Sequence, residues 1–382
     1  MKLFYKRKYD YTTEYGIFGI KIKLTNSKKK IKNLEQRIAE CEKNVYSLLH
    51  GERFVYSNAH QLTTSDYKSL ISKFFYNVVG YFPDLKNPKT FNEKINWLKL
   101  NYYNPIENLC CDKYEVKKYV EEKIGEEFVV PVYGVYNNVN DIDFTKLPNQ
   151  VVFKNTLSGG DSGVKIIKNL KESNIEELKY ELNNLLFNWN NDGLCNCLIP
   201  ERRLIKERLI AEKYLGALDD DLDDYKFYCF HGKFKLGYVD VRIPNQKGKI
   251  YYFDKEWNLL PIKYINHLGD PSFFPQKPSN FDKMIEVAEL LAKEFPFVRV
   301  DLYTVDNKIY FGELTFKAGG GFNKFNDDWD LKLGEMLDLT NIDKKYLINQ
   351  KAEIHMVVRE RERESNPSTC KKSTESSLKE LK

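Results

Sequence analysis

The sequence contains no apolar run that approaches the ~18 residues needed to cross a membrane, so we expect no integral membrane segment. Its start, MKLFYKRKYDY, lacks the apolar core of a secretory signal peptide. The seven cysteines are odd in number and scattered, and they form neither a disulfide framework nor a paired CxxC zinc motif. These absences together predict a cytoplasmic protein in a reducing compartment.

The sequence also lacks a large excess of positive or negative charge. The 60 basic and 55 acidic residues leave a net charge of only +5, which argues against a dedicated nucleic-acid binder. The five histidines are dispersed, and no Ser-His-Asp or Cys-His set is apparent, so catalysis through a side-chain nucleophile is not expected. A hydrophobic content of 42% is nevertheless enough for packed cores.

Changes in composition along the chain predict an α+β protein with several parts. Residues 1–60 form an N-terminal extension, 61–150 a mainly helical region, 151–215 and 216–348 two α+β subdomains, and 349–382 a charged, Ser-rich tail expected to be disordered. Within the extension, apolar spacings of three and four predict an amphipathic helix over 26–50. Two interpretations stay open for it: a short coiled coil that forms a homodimer, and a helix that lies on its own domain.

Helices are predicted over 66–79, 91–100 and 113–123 within the region 61–150, and over 175–189, 281–295 and 329–337 later in the chain. The helix 91–100 has the clearest start signal. Thr90 and Glu93 have the spacing of a capping box, and Ile95, Trp97 and Leu98 supply its expected buried face. From these residues alone, we expect a well-capped helix with no further role.

Residues 151–167 read as a strand that ends near Lys154, a loop rich in Gly and Ser, and a second strand. Glycines let a loop turn its backbone N–H groups toward a phosphate, and Lys154 adds a positive charge at the mouth of the loop. The loop is not a Walker motif, because no Gly-Lys-Ser/Thr follows. A plain hairpin turn is the alternative interpretation. The candidate binding residues in the loop are Ser158, Gly159, Gly160, Ser162 and Gly163.

Two carboxylates stand in apolar strands twelve positions apart, and a turn at 305–308 separates them. Alternation along the two strands predicts that Asp301 and Glu313 share one sheet face. Because a buried carboxylate needs a partner, and Mg²⁺ favours one or two carboxylates with phosphate oxygens, a magnesium site is one interpretation. Arg299 shares that face and is suited to phosphate or a developing anion. Direct pairing of Arg299 with Asp301 is the alternative.

The segment Glu212-Lys213-Tyr214-Leu215 follows an apolar strand and precedes a new subdomain, as an interdomain hinge does. At such a hinge, backbone groups of Lys213 and Leu215 can meet an adenine edge while Glu212 takes ribose or amino hydrogens. An ordinary strand end is the alternative.

The order of these parts resembles the ATP-grasp superfamily: Lys154 and its loop, the hinge, then Lys226, Arg299, Asp301 and Glu313. More specifically, the chain resembles the TupA-like ATP-grasp family over residues 65–340. The motifs that carry this likeness are KNPKTFNEKINWLKL (86–100), DKY (112–114), IGEE (124–127), LPNQ (147–150), GELTF (312–316) and DWDLKLG (328–334).

The resemblance implies an ATP-grasp fold in which two α+β subdomains clamp ATP. It implies that Lys154 meets the α-phosphate and adenine region, and that the 158–163 loop closes over the β- and γ-phosphates. It further implies that Glu212, Lys213 and Leu215 line the adenine and ribose. Asp301 and Glu313 would hold Mg²⁺, and Lys226 would be a second phosphate-binding lysine. Arg299 would stabilise the reacting phosphoryl group or tetrahedral intermediate. Thr315 stands where many ATP-grasp enzymes have a third ligand, Asn.

The activity implied by this resemblance is an ATP- and Mg²⁺-dependent carboxylate–amine ligase of surface (capsular or cell-wall) polysaccharide biosynthesis. It would join an amino acid or other amine donor to a uronic-acid or similar saccharide acceptor through an acyl-phosphate. Two other classes stay open: a glycosyltransferase that uses a nucleotide sugar, and a non-catalytic scaffold. Asp301 and Glu313 are far apart in the sequence and do not form a DxD motif, which disfavours the glycosyltransferase.

Overall fold

The computed structural model describes residues 4–8, 12–17, 20–25, 64–158, 163–187, 205, 207–216, 222–241, 248–263, 269–326 and 328–348. The predicted helix 26–50 and the predicted disordered tail 349–382 lie outside these residues. The chain divides into two compact units, Met1–Leu62 and Thr63–Lys382. Within the described part of the chain, no helix is both long and apolar enough to cross a membrane.

The first unit contains a three-stranded antiparallel sheet. Its strands are β1 (Phe4–Lys8), β2 (Thr12–Ile17) and β3 (Ile20–Thr25), which pair in that order. The second and third strands contain most of the short apolar run at residues 16–24.

The second unit begins with helices. These are α1 (Thr64–Val79), α2 (Phe91–Asn101), α3 (Pro105–Cys111) and α4 (Val116–Ile124). Later helices are α5 (Ile175–Phe187), α6 (Phe281–Ala292) and α7 (Trp329–Met336). Most coincide with predicted helices.

In the described part of the second unit, two antiparallel sheets accompany these helices. The smaller sheet has the order β4-β7-β5-β6 and consists of β4 (Val132–Tyr136), β5 (Val151–Asn155), β6 (Val164–Ile167) and β7 (Leu209–Lys213). The larger sheet has the order β10-β9-β8-β11-β12. It consists of β8 (Asp224–Phe230), β9 (Lys233–Val241), β10 (Lys249–Phe253), β11 (Phe297–Val305) and β12 (Lys308–Thr315).

Helices cover these sheets, and the described residues form three apolar cores. One face of the larger sheet packs against α4 and α6, and the other packs against α2 and α7. The smaller sheet packs against α5. On β11, Val298 and Val300 enter the first core, whereas Phe297 enters the second, because successive strand residues point to opposite faces. The face of Phe297 continues along β11 to Arg299 and Asp301, which places both on the side of the sheet that carries α2.

The predicted capping box is present at the start of α2. The Thr90 hydroxyl accepts from the Glu93 N–H at 3.3 Å, and the Glu93 carboxylate accepts from the Thr90 N–H at 3.1 Å. Ile95 and Leu98 are buried as predicted. The polar side of the helix is buried as well, which the sequence did not predict, because a distant segment of the chain covers it.

One helix was not predicted, and another begins later in the chain than predicted. Helix α3 was not predicted, although Asn104 caps it and Pro105 opens it, both of which favour a helix start. Helix α4 begins at Val116 rather than near Lys113. The Asp112 carboxylate accepts from the N–H groups of Tyr114 and Glu115, which holds this stretch as a turn.

The turn between β11 and β12 has the predicted position. Asp306 and Asn307 adopt left-handed conformations with φ of 50° and 62°, as a two-residue type I′ hairpin requires. The hairpin fixes the register of the two strands that carry the predicted metal ligands.

Candidate active site

The two predicted metal ligands face each other across neighbouring strands. In the β11–β12 register, Asp301 stands opposite Glu313, and the register shifts immediately afterwards, between Asp301 and Leu302. Asp301 is only 2% exposed, whereas the side chain of Glu313 retains 21% of its exposure. The hairpin thus presents one enclosed carboxylate and one accessible carboxylate side by side.

Asp301 is surrounded by cations. Arg299 binds it through two hydrogen bonds, Nε to Oδ1 at 2.7 Å and a terminal nitrogen to Oδ2 at 2.6 Å. Lys226 on β8 donates to the same Oδ2 at 2.6 Å and to Asp224 at 2.5 Å. The alternative in which Arg299 pairs with Asp301 therefore describes this structure, and the pair also fixes the guanidinium beside the carboxylates.

Thr315 completes the orientation of Arg299. Its hydroxyl accepts from the guanidinium at 3.0 Å, and the Tyr238 hydroxyl lies 3.4 Å from the same group. Thr315, which stands where many ATP-grasp enzymes have a ligand Asn, therefore contacts Arg299 in this structure.

Lys226 remains a cation despite its burial. Burial alone lowers the pKa of a lysine, but the negative charges of Asp224 and Asp301 outweigh burial and raise the pKa of Lys226 well above its usual value. The lysine therefore offers a fixed positive charge between two carboxylates.

A second group of charges lies on the smaller sheet. The β5–β7 register puts Glu212 opposite Val152, so Glu212 shares a face with Lys154. One Glu212 oxygen lies 2.8 Å from the Lys154 ammonium, and the other lies 2.7 Å from the ammonium of Lys117 on α4. Glu212 and Lys117 are buried in this triad, whereas the side chain of Lys154 is 17% exposed.

The pKa values of this triad are shifted in different directions. Burial would lower the pKa of Lys154, but attraction to Glu212 raises it above its usual value. For Lys117, burial outweighs Glu212 and lowers the pKa. Burial would raise the pKa of Glu212, but Lys154 and Lys117 lower it. Lys154 and Glu212 are both charged at neutral pH.

The loop after β5 is opened by a side-chain turn. The Asn155 amide oxygen accepts from the N–H groups of Leu157 at 2.9 Å and Ser158 at 3.2 Å. Gly163 ends the loop against Ser158, because a Cβ at Gly163 would lie 2.2 Å from the Ser158 Cβ. The predicted binding residues Gly159, Gly160 and Ser162 lie outside the described residues.

Lys113 connects this loop with the hairpin that carries Asp301 and Glu313, and the sequence analysis did not assign it a role. Its ammonium donates to the Ser158 carbonyl at 2.5 Å and lies 3.3 Å from a Glu313 oxygen. Lys117 was also missed. Lys113 lies in the DKY motif (112–114). That motif indicated resemblance to the family, but it did not indicate a chemical role for the lysine.

The hinge borders a cleft of about 610 Å³ that is lined by α4, β4, β12 and residues 126–132. Lys213 lines this cleft, whereas Lys154, Asp301 and Glu313 do not. The Lys213 N–H donates to the Pro131 carbonyl at 2.9 Å, so it is already engaged within the protein. The cleft therefore adjoins the hinge and lies outside the group of carboxylates.

Asp301 and Glu313 are oxygen ligands of the kind that magnesium prefers. Among the residues that the structure describes, no three His, Cys, Asp or Glu side chains converge on one point. Mg²⁺ is commonly held by one or two carboxylates together with substrate phosphates, and Asp301 and Glu313 supply such a pair. The residues fit a magnesium ion that shares its ligands with a nucleotide.

The family model described as TupA-like ATPgrasp matches residues 93–338. The two antiparallel sheets that carry these lysines and carboxylates are thus those of an ATP-grasp enzyme, an ATP-dependent ligase that uses ATP and Mg²⁺. Because the match covers more than half of the 382 residues, the chain belongs to the TupA-like ATP-grasp family. The predicted family, fold, enzyme class and cofactors are confirmed.

Solved structures show more distant likeness. The D-alanine–D-alanine ligase from Bacillus anthracis is 16% identical, with 72% of this chain and 76% of that chain covered and a TM-score of 0.38. The corresponding ligase from Helicobacter pylori is 15% identical, with 65% and 69% covered and a TM-score of 0.38. A D-cycloserine synthetase is 14% identical, with 61% and 71% covered and a TM-score of 0.35. No curated protein matches the chain.

Proposed function

We propose that this enzyme is a carboxylate–amine ligase of surface polysaccharide biosynthesis. It joins an amino acid, as the amine donor, to a uronic-acid or similar saccharide acceptor. Residues 151–215 and 216–348 act as the two halves of the clamp. The family membership supports the ATP-dependent ligase class, and the arrangement of charges supports the assignment of residues below.

The nucleotide is held by groups from both sheets. Lys154 contacts the α-phosphate, Glu212 the ribose or amino hydrogens, and the 158–163 loop covers the β- and γ-phosphates. Because the Lys213 N–H already donates to Pro131, we assign the adenine contacts to the Lys213 carbonyl and the Leu215 N–H. Lys113 joins the phosphate site from the helical region, since it lies against both the loop and Glu313.

Asp301 and Glu313 hold Mg²⁺, which supplies positive charge against the phosphate oxygens when it is bound. Lys226 offsets the charge of the transferred phosphoryl group. Arg299, held in place by Asp301 and Thr315, stabilises the same group or the tetrahedral intermediate that follows.

The chemistry proceeds in two displacements. A carboxylate oxygen of the acid substrate attacks the γ-phosphorus of ATP, the bond to the ADP oxygen breaks, and an acyl-phosphate forms. The amine nitrogen then attacks the acyl carbon, the bond to phosphate breaks, phosphate leaves with its electron pair, and the amine loses a proton. No side-chain nucleophile is required, because positioning and charge supply most of the catalysis.

The main support for this proposal is that carboxylates and cations of the site pair with each other. Each proposed metal ligand lies against a proposed phosphate-binding cation: Asp301 against Lys226 at 2.6 Å, and Glu313 against Lys113 at 3.3 Å. When Mg²⁺ and phosphate are present, both partners of each pair acquire a new counter-ion. A site of this kind suits a magnesium nucleotide better than either ion alone.

A screen for ADP release tests the proposal. Amino acids are offered in combination with uronate acceptors in the presence of Mg²⁺ and ATP, with Glu313→Gln as the blank. We expect at least one pair to release ADP and phosphate above that blank. A protein that releases no ADP above Glu313→Gln for any pair would count against a ligase, and release of nucleotide from a UDP-sugar alone would instead indicate a glycosyltransferase.

Lys154→Met is expected to weaken the binding of Mg·ATP by about 10- to 100-fold, because a charge-assisted contact to phosphate contributes about 1.5–3 kcal/mol. Equilibrium binding of a non-hydrolysable ATP analogue measures this change. Lys165→Met is the matched control. Lys165 lies on the neighbouring strand and pairs with Glu181 on α5 at 2.7 Å, on the opposite side of the smaller sheet. Equal losses of affinity in the two variants would contradict the role of Lys154.

A further inference from the structure

The loop that follows β12 has an unusual backbone. Gly319, Gly320 and Gly321 are all left-handed, with φ of 56°, 62° and 72°. The Gly320 N–H donates to the Lys317 carbonyl at 2.7 Å, and the Phe322 N–H donates to the Gly319 carbonyl at 3.1 Å. We call residues 317–323 the glycine loop. Three successive left-handed residues are disfavoured for other amino acids, so the loop adopts a conformation that the chain must hold in place.

Helix α2 provides the side chains that hold it. Asn92 donates to the Asn323 carbonyl at 2.7 Å and accepts from the Asn323 N–H at 2.9 Å. Asn96 donates to the Gly321 carbonyl at 2.7 Å. Lys99 donates to the Gly320 carbonyl and, at 3.0 Å, to the Asn96 side chain. The helix therefore binds the backbone of three loop residues.

These contacts are fully enclosed. Asn92 and Asn96 are 0% exposed, and Lys99 is 4% exposed. Polar groups are costly to bury, and apolar residues of similar size are often at least as stabilising in such positions. A set of enclosed polar groups that all bind one backbone segment specifies the geometry of that segment. Gly321 shows how close the approach is, because a Cβ there would lie 2.7 Å from the Asn96 nitrogen.

The glycine loop follows the strand that carries Glu313. It begins two residues after Thr315, which contacts Arg299, on the strand that also carries Glu313. Within the loop, Gly319 is the exposed residue, and it offers only its peptide groups to a ligand. None of the three α2 side chains is among the residues assigned to the nucleotide.

We infer that Asn92, Asn96 and Lys99 are positioning residues for the non-nucleotide substrate of the reaction. By this inference they hold the glycine loop so that its exposed residue, Gly319, offers peptide groups to that substrate, and their loss leaves the nucleotide side unchanged. The inference rests on the proposed ligase function, because that function defines a second substrate next to Arg299.

The test compares two lysines of the same helix. Lys99→Met removes a donor to the glycine loop. The matched control, Lys94→Met, removes a donor to the Gly334 and Leu337 carbonyls, both at 2.8 Å, near the end of α7. Amide hydrogen exchange of residues 317–323 reports the loop, and binding of a magnesium complex of a non-hydrolysable ATP analogue reports the nucleotide site.

In Lys99→Met, we expect loop exchange to rise about tenfold while the affinity for the ATP analogue stays within about twofold, since a lost buried hydrogen bond opens the structure locally. With a substrate pair from the ADP-release screen, KM for the acid or amine should rise about tenfold and KM for ATP should not. Asn96→Ala should show the same pattern. Lys94→Met should leave loop exchange and both KM values unchanged.

Three results would overturn the inference: unchanged loop exchange in Lys99→Met, an equal rise in Lys94→Met, or a loss of nucleotide affinity as large as the change in the loop. The exchange and binding measurements need no substrate. A screen that finds no substrate pair therefore contradicts the ligase function, whereas exchange and analogue binding still decide whether α2 sets the loop.

Discussion

Glu313→Gln is expected to lower kcat/KM for ATP-dependent turnover on the order of 10³-fold, which corresponds to ~4 kcal/mol of lost transition-state stabilisation. The amide keeps the shape of the side chain and removes the negative charge that we assign to Mg²⁺. The stability cost should be small, about 0–1 kcal/mol, because the contact with Lys113 is long at 3.3 Å and partly exposed. ADP release and urea denaturation of the same preparation measure the two effects separately.

Glu294→Gln is the matched control for this variant. Glu294 pairs with Lys123 at 2.6 Å on the surface, with side-chain exposures of 38% and 36%. It should retain activity and lose about 0–1 kcal/mol of stability. The metal role of Glu313 would be wrong if Glu313→Gln kept more than about a tenth of the activity at saturating Mg²⁺. Asp301 suits this experiment less well, since its removal would leave Arg299 and Lys226 without a shared buried carboxylate.

The hairpin that carries Asp301 and Glu313 was predictable from the sequence because its determinants are local. Strand alternation, a two-residue turn at Asp306 and Asn307, and the spacing of the carboxylates all lie within a short stretch of chain. The same applies to the strand at Lys154 and to the capping box of α2. In each case neighbouring residues fix the geometry.

Lys113 and Lys117 were missed because tertiary contacts place them. The turn before α4 is held by Asp112, which also binds Arg208 at 2.8 Å, and the Lys113 N–H donates to the Thr156 carbonyl at 2.9 Å. From the sequence alone, these lysines are expected on the exposed side of an ordinary helix. Only the packing of the helical region against both sheets brings them to Glu212 and Glu313.

Helix α2 shows the same limit more clearly. Its apolar residues predict one buried face, so Asn92, Asn96 and Lys99 read as solvent-facing. The partner of Asn92 lies 231 positions later in the chain, at Asn323. No local sequence pattern predicts a contact between residues 231 positions apart, although Asn92 lies within the family-specific motif at 86–100.

The ion pair between Glu107 and Lys317 should have the largest effect on stability. Its ammonium and carboxylate are 2.8 Å apart, and the side chains are 1% and 2% exposed. Glu107→Gln leaves the Lys317 ammonium buried beside a neutral amide, and we expect a loss of about 3–5 kcal/mol in the free energy of unfolding. Asp282→Asn is the control. Asp282 pairs with Lys277 at the same 2.8 Å, but the pair is exposed, so the loss should be about 0–1 kcal/mol.

A double-mutant cycle separates the ion pair from packing. Lys317→Met alone should also cost about 3–5 kcal/mol, because it removes the ammonium that pairs with the buried Glu107 carboxylate. The double variant Glu107→Gln/Lys317→Met buries no charge, so its loss should fall below the sum of the two single losses by about 2 kcal/mol or more. Urea denaturation of the four proteins gives the coupling. Additive losses would mean that the two charges act independently. The ion pair would then not stabilise the contact between the start of the glycine loop and α3.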